Sequence, residues 1–199
     1  MLAVIATAVF AALTVAVTVS SSIAFDSRAF EVADSIRAPW LDTAVRVVTK
    51  LGLIVIVGPA VLAGAAVIMI KRRDRARATA LLAGAGLAWI SVRIVKSVVD
   101  RPRPPDPLVH TTGQSYPSAH AANSLGWLAL AIALTIVIPT RAGRIAAITA
   151  GALLALVVGL SRIYLRAHYA SDVLAGEALS VAMYAAAAIA AIVWQSRRP

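Results

Sequence analysis

The sequence predicts an all-α, polytopic membrane protein: six transmembrane helices in one bundle, with an interfacial helical segment after the first span. Three observations predict it. Of 199 residues, 60% are hydrophobic and 14% charged, where soluble domains carry about 25% charged residues. Mean hydropathy is +0.85. The apolar residues gather into six runs close to the ~20 residues that carry a helix across a bilayer. No soluble domain and no internal repeat stands out, so residues 1–199 read as a single transmembrane domain.

The first run covers 2–25 and closes on S-S-S-I-A, which resembles a signal-peptide cleavage site. It has no basic leading region and is long for a signal core, which favours an uncleaved span. Residues 26–46 set Phe30, Ala33, Ile36, Trp40, Leu41 and Val45 between charges. That alternation suits helix lying at the membrane interface, with Pro39 expected to break or kink it. The second and third runs, 48–70 and 78–99, are followed by 119–139, 145–165 and 172–194. Small residues in L-L-A-G-A-G-L-A-W and Y-A-A-A-A-I-A-A let helices approach closely where hydrophobicity gives no drive to associate. Trp40 and Trp194 are expected near opposite interfaces.

Orientation follows from lysine and arginine in the breaks. K-R-R-D-R-A-R at 71–77 is the densest basic cluster, and Arg141, Arg144, Arg197 and Arg198 flank breaks of the same parity. These belong in the cytoplasm. On the opposite side, residues 26–50 balance Arg28, Arg37, Arg46 and Lys50 against Asp26, Glu31, Asp34 and Asp42. The remaining cations there, Arg93, Lys96, Arg101, Arg103, Arg162 and Arg166, fall into two clusters. Raw counts on the two sides are nearly equal, so the orientation rests on reading those clusters as functional. The net charge of +10 does not read as a nucleic-acid footprint, because the cations sit between apolar runs. There is no cysteine, which excludes disulfides, thiol catalysis and thiolate metal sites.

By crossing parity, the loop at 100–118 and the loop near 161–171 emerge on the same, extracytoplasmic face. Taken singly, their polar residues have plain readings: Lys96 and Arg93 can snorkel from a span end, the prolines can stiffen a loop, and His110 can be an ordinary loop residue. Convergence of three segments on one face argues for more. A phosphoryl group in transfer spreads charge over its oxygens and calls for cations and amides around it. Lys96, Arg103 and Arg162 can supply the charge. Ser118 is a natural N-cap, leaving the Ala119 and His120 amides at the positive end of a helix. His168 and Asp172, four apart, are expected to share one helical face, the carboxylate fixing the ring tautomer. One histidine then attacks phosphorus while the other, His120, handles the proton. The residues alone allow the reverse assignment, and only the Asp172 partner favours His168 as nucleophile.

These elements resemble the type 2 phosphatidic acid phosphatases. Lys96 through Pro104 fits K-x6-R-P, P-S-A-H at 117–120 is similar to P-S-G-H, and Ser161 through Asp172 fits S-R-x5-H-x3-D. The resemblance implies phosphate held by Lys96, Arg103, Ser118, Arg162 and nearby amides including that of Ala119, which stands where the family usually has glycine. It implies a phosphohistidine on His168, orientation by Asp172, His120 as general acid, no cofactor and no metal. It also implies a multi-pass protein of the cell (cytoplasmic) membrane that takes a lipid phosphate from the bilayer: phosphatidate, phosphatidylglycerol phosphate, diacylglycerol pyrophosphate or a polyprenyl diphosphate. Two rivals use the same residues, a lipid phosphotransferase and a non-catalytic transporter or binder of lipid phosphates. Outside the motifs, Glu177 lies within the last span, and Arg93, about one turn below Lys96, is its expected partner.

Overall fold

The computed structural model of the protein describes residues 1–20 and 23–197. Ser21 and Ser22 of the cleavage-site sequence and Arg198 of the cytoplasmic cation set lie outside the described residues. The chain forms α1 (Leu2–Val19), α2 (Ala24–Ser35), α3 (Pro39–Val48), a short 3-10 turn at Thr49–Gly52, α4 (Ile54–Arg72), α5 (Arg75–Val99), α6 (Ala119–Leu134), α7 (Arg141–Tyr164) and α8 (Ala170–Ser196). Five of these, α1, α4, α5, α7 and α8, are long and apolar enough to cross a membrane, and α6 is a shorter apolar helix. Together they are the six spans the sequence predicts.

The boundaries follow local chemistry. Asp74 caps α5 by accepting from the Arg77 amide at 2.9 Å, and Thr140 caps α7 by accepting from the Gly143 amide at 3.1 Å. Each cap satisfies a first-turn amide that the helix leaves unpaired. The fourth run was expected to reach residue 139, yet α6 stops at Leu134. Pro139 disfavours helical backbone at the residue before it, and Thr135 closes the end by donating its hydroxyl to the Ile132 carbonyl. The interfacial segment is helical on both sides of Pro39, which occupies the first turn of α3, where its missing N–H costs nothing. Trp40 in α3 and Trp194 near the end of α8 sit at opposite ends of the bundle.

Packing has an apolar half and a polar half. Toward the end where α4 and α5 join, Val61, Ala65 and Ile68 of α4 pack with Ala78 and Leu81 of α5 and Ala133 of α6, in a cluster that runs along α4 from Val57. Large apolar side chains such as Leu62, Ile70, Ile94 and Ile192 point outward, as lipid requires. Toward the other end, α8 is the hub against α1, α5, α6 and α7. There α2 and α3 lie across the loops and bind them through polar contacts. Arg166 pairs with Asp34 and its guanidinium stands over the Phe30 ring at 4.9 Å. The Tyr164 hydroxyl donates to Asp42 at 2.6 Å. Arg166 is thus the interfacial cation that its absence from the motifs suggests.

One close approach sets the geometry of the polar end. A Cβ on Gly176 of α8 would lie 2.5 Å from the carbonyl oxygen of Ser118, so the start of α6 rests directly on the α8 backbone. The Ser118 amide also donates to the Asp172 carbonyl at 2.9 Å. Gly176→Val is expected to separate the two helices and cost about 1–3 kcal/mol, read as a lower unfolding temperature in detergent. An unchanged temperature would show that the approach is not restrictive.

Candidate active site

Three segments meet at one end of the bundle, as the sequence predicts. Lys96, Arg103, Ala119, His120, Arg162 and His168 line one cavity of ≈ 490 Å³. Ser118 and Asp172 do not line it. Ser118 is fully buried and spends its hydroxyl accepting from the Ala121 amide at 3.4 Å. It acts as the predicted helix cap, one layer behind the wall.

Each cation is fixed by neutral oxygens. Arg103 donates through Nε to the Gly113 carbonyl at 2.9 Å, and through its two terminal nitrogens to the Ala167 and Thr112 carbonyls, both at 2.8 Å. Lys96 Nζ donates to the Gln114 carbonyl at 2.6 Å. Arg162, buried, donates to the Thr49 hydroxyl at 2.7 Å. Its Nε is buried without a hydrogen-bond partner among the described residues, a costly state for a donor that an anion in the cavity would relieve. The adjacent end of α6 contributes first-turn amides with no intrahelical acceptor. A Cβ on Gly52 would stand 2.9 Å from the His120 carbonyl oxygen, so the 3-10 turn is pressed against that end.

His168 sits between the cations and a carboxylate. It was expected to share a helical face with Asp172, but it lies in the turn before α8, which begins at Ala170. Asp172, in the first turn, reaches back instead. Its Oδ2 accepts from the Tyr169 amide at 3.0 Å and stands 3.5 Å from His168 Nδ1. On the other side, an Arg103 terminal nitrogen is 3.2 Å from His168 Nε2. Guanidinium can only donate, so Nε2 accepts and the ring proton belongs on Nδ1, facing Asp172. Burial pushes the imidazole down to about 4, against the upward pull of Asp172 and with the Arg162 and Arg103 charges adding to the fall. At neutral pH the ring is therefore uncharged, with a lone pair on Nε2.

Behind Asp172 is a network the sequence reading missed. Arg101 is buried and donates to Asp172 Oδ1 at 2.5 Å and to Asp26 Oδ2 at 2.8 Å. Its guanidinium lies 4.0 Å from the centre of the Tyr169 ring. Burial alone would disfavour this cation, but Asp172 and Asp26 outweigh it and hold Arg101 above the usual arginine range. Asp26 also accepts from the Ser171 amide at 2.8 Å and hydroxyl at 2.7 Å, and the Ser115 hydroxyl donates to Asp172. Arg101 carried a weak signal, a second arginine in R-P-R-P. Nothing in sequence spacing links residue 26 to it.

The expected Arg93–Glu177 pair does not form. Five residues turn Glu177 about 140° around α8 from Asp172, toward α7, where its carboxylate crowds the space beside Gly159. Arg93 lies on α5 with its guanidinium 4.2 Å from the Trp89 ring centre. A second, mainly apolar cavity of ≈ 440 Å³ opens in the other half of the bundle, lined by Leu2, Leu81, Leu128 and Tyr184 among others. It gathers no comparable set of reactive groups.

Comparison with known proteins identifies relatives of the chain and of its fold. A model of the PAP2 superfamily matches residues 77–198. The chain is 32% identical over 160 residues to phosphatidylglycerophosphatase B of Bacillus subtilis (strain 168), covering 75% of this chain and 74% of the relative. Its fold matches the crystal structure of the first transmembrane PAP2 type phosphatidylglycerolphosphate phosphatase from Bacillus subtilis with a TM-score of 0.85 at 24% identity, over 99% of this chain and 97% of that one. The crystal structure of Aquifex aeolicus LpxE matches with a TM-score of 0.66 at 20% identity, over 87% and 98%.

The buried network makes a sharp prediction. Arg101→Ala leaves Asp172 and Asp26 buried without their shared cation, and is expected to cost about 3–5 kcal/mol. Asp26→Asn keeps the shape and is expected to lower kcat with little effect on KM, since Asp26 stands behind the cavity wall. Thermal unfolding and steady-state kinetics in detergent check both. Wild-type stability in Arg101→Ala would remove the brace from the account.

Proposed function

The chain belongs to the PAP2 superfamily and is a multi-pass membrane lipid phosphatase; from that premise we propose that it cleaves its lipid phosphate through a phosphohistidine on His168. The observation that carries this reading is the Arg103–His168 contact, which leaves Nε2 as the acceptor nitrogen at the cavity wall. The substrate phosphate takes the place of Nε2 as acceptor for that Arg103 donor. Lys96, Arg162 and the first amides of α6 share its remaining oxygens.

Nε2 attacks phosphorus, and the bond from phosphorus to the lipid oxygen breaks. His120 gives its proton to the departing oxygen, and Asp172 stabilises the cationic ring. Water then attacks phosphorus, His120 takes a water proton, the P–Nε2 bond breaks, and inorganic phosphate leaves. Asp172 beside Nδ1 supports the assignment of nucleophile to His168 and general acid to His120. The substrate is a lipid monophosphate or diphosphate such as phosphatidylglycerol phosphate, phosphatidate or a polyprenyl diphosphate, with its tail in the bilayer and its headgroup in the cavity. The protein acts in the cytoplasmic membrane, with the cavity on the extracytoplasmic side.

Phosphate release from these three lipids in detergent tests the chemistry. His168→Ala is expected to lose at least about a thousandfold in kcat, His120→Ala is expected to lose about a hundredfold or more because both steps use its proton, and EDTA is expected to leave the rate unchanged. Release by His168→Ala at the wild-type rate would overturn the nucleophile assignment, and loss with EDTA the metal-free one.

Topology has a separate test, made simple by the absence of cysteine. A single cysteine at Asp106, exposed in the loop of the site, is expected to react with a membrane-impermeant maleimide on intact cells. One at Arg73, in the opposite loop, is expected to react only after lysis. The reverse pattern would invert the orientation.

A further inference from the structure

Arg93 is a charge that the chemistry above does not use. It lies within α5, three residues before Lys96, which places its backbone about 4.5 Å further from the catalytic end. Its side chain runs further in the same direction, since the guanidinium stacks on Trp89, one turn nearer the middle of the span. It has no hydrogen bond and no ion pair among the described residues, and its residue is exposed on the outer side of the helix. A cation at that depth is costly and by default marks a pathway or a ligand. Glu177, the acid that might have neutralised it, faces α7 instead.

The placement of Arg93 is informative because Trp89, Val92, Arg93 and Lys96 line the same cavity as His168 and Arg162. The cavity therefore runs down α5 from the reacting nitrogen toward lipid, with a second positive charge below the first group of cations. A lipid lying in it with its terminal phosphate at His168 passes its next chemical group over Arg93 before its tail meets the bilayer. A guanidinium held over an indole by its cation–π contact keeps its N–H donors for other partners, and its fork can bind two phosphate oxygens at once.

Resting on the reading of the cavity as the lipid phosphate site, we propose that Arg93, positioned by Trp89, is a second-anion subsite: it binds a phosphate lying between the reacting phosphate and the lipid tail. The ligands it fits are lipids with two phosphoryl groups in series. The inner group is a phosphodiester in phosphatidylglycerol phosphate and the α-phosphate in a polyprenyl diphosphate. Phosphatidate, with one phosphate, offers Arg93 nothing beyond its glycerol esters. The subsite thus selects among lipid phosphates by the charge between the reacting phosphate and the tail, and the cations above it treat every substrate alike.

The test is a ratio, because a merely structural defect lowers all activities together. The kcat/KM for phosphatidylglycerol phosphate and for a polyprenyl diphosphate, each divided by that for phosphatidate, are compared between wild type and Arg93→Gln. At least one ratio is expected to fall about tenfold or more, in line with loss of a hydrogen bond between charged groups. The substrate whose ratio falls identifies whether the inner phosphate is the phosphodiester or the α-phosphate. Both ratios staying within about threefold of wild type overturns the subsite, as does a wild type that cleaves phosphatidate best. If Arg93→Gln does not fold, Trp89→Leu, which removes the platform and keeps the cation, is expected to lower the same ratio, and an unchanged ratio again overturns the proposal. A wild type that releases phosphate from none of the three lipids overturns the phosphatase assignment instead, so the two failures are distinguishable.

Discussion

A carboxylate buried at the end of a membrane bundle must be neutralised, and the polar half of this fold is organised around doing so for Asp172. With no exposed surface, its charge would be severely destabilising unless paired and fully hydrogen-bonded. Arg101, Ser115, the Tyr169 amide and His168 meet that demand. The partners arrive from two stretches of chain: the loop after α5 sends Arg101 and Ser115, and the turn after α7 sends His168 and the Tyr169 amide. Holding Asp172 therefore closes those loops onto the start of α8. The orientation of His168 follows from that closure.

The cations present the opposite problem. Lys96, Arg103 and Arg162 share one cavity wall and repel one another, with burial pulling the Arg103 cation below its usual range. Their spacing is kept by backbone carbonyls and a threonine hydroxyl, which satisfy donors without cancelling charge. Carboxylates in those places would lower the repulsion and also the attraction for phosphate. The division is clear: Asp172 and Asp26 neutralise Arg101 behind the histidine, and among the described residues no acid lines the cavity that the three cations share. The result is a positive cavity whose cations are held in place, and on the proposed reading little reorganisation is left for the moment when charge develops on a bound phosphate.

Much of this was legible in the sequence because the signals are local. Six apolar runs, the cap at Ser118 and the break at Pro39 each depend on a few neighbouring residues. Crossing parity then put the loops of Lys96, His120 and His168 on one face without any knowledge of packing. What was not legible is pairing across long separations. Asp26 meets Arg101 and Ser171 through tertiary packing of α2, and no periodicity records that. The Arg93–Glu177 expectation failed for a related reason: depth along a helix can be counted from sequence, but facing depends on the rotation of two helices about their axes. Even at i,i+4 the inference was incomplete. His168 and Asp172 do meet, but across a helix start instead of along a helical face.

The braces of the site come from a part of the chain that the family match does not reach. Residues 77–198 contain every group that touches the cavity chemistry proposed above. Asp26 lies before them and binds Arg101, Thr49 lies before them and fixes Arg162, and Gly52 lies before them and seats the start of α6. The interfacial helices are thus more than a lid on the bundle. They are held to the catalytic loops by buried polar contacts, so displacing α2 breaks the Arg101 pairing with Asp26 and loosens Asp172, and displacing α3 carries the adjoining turn away from Arg162.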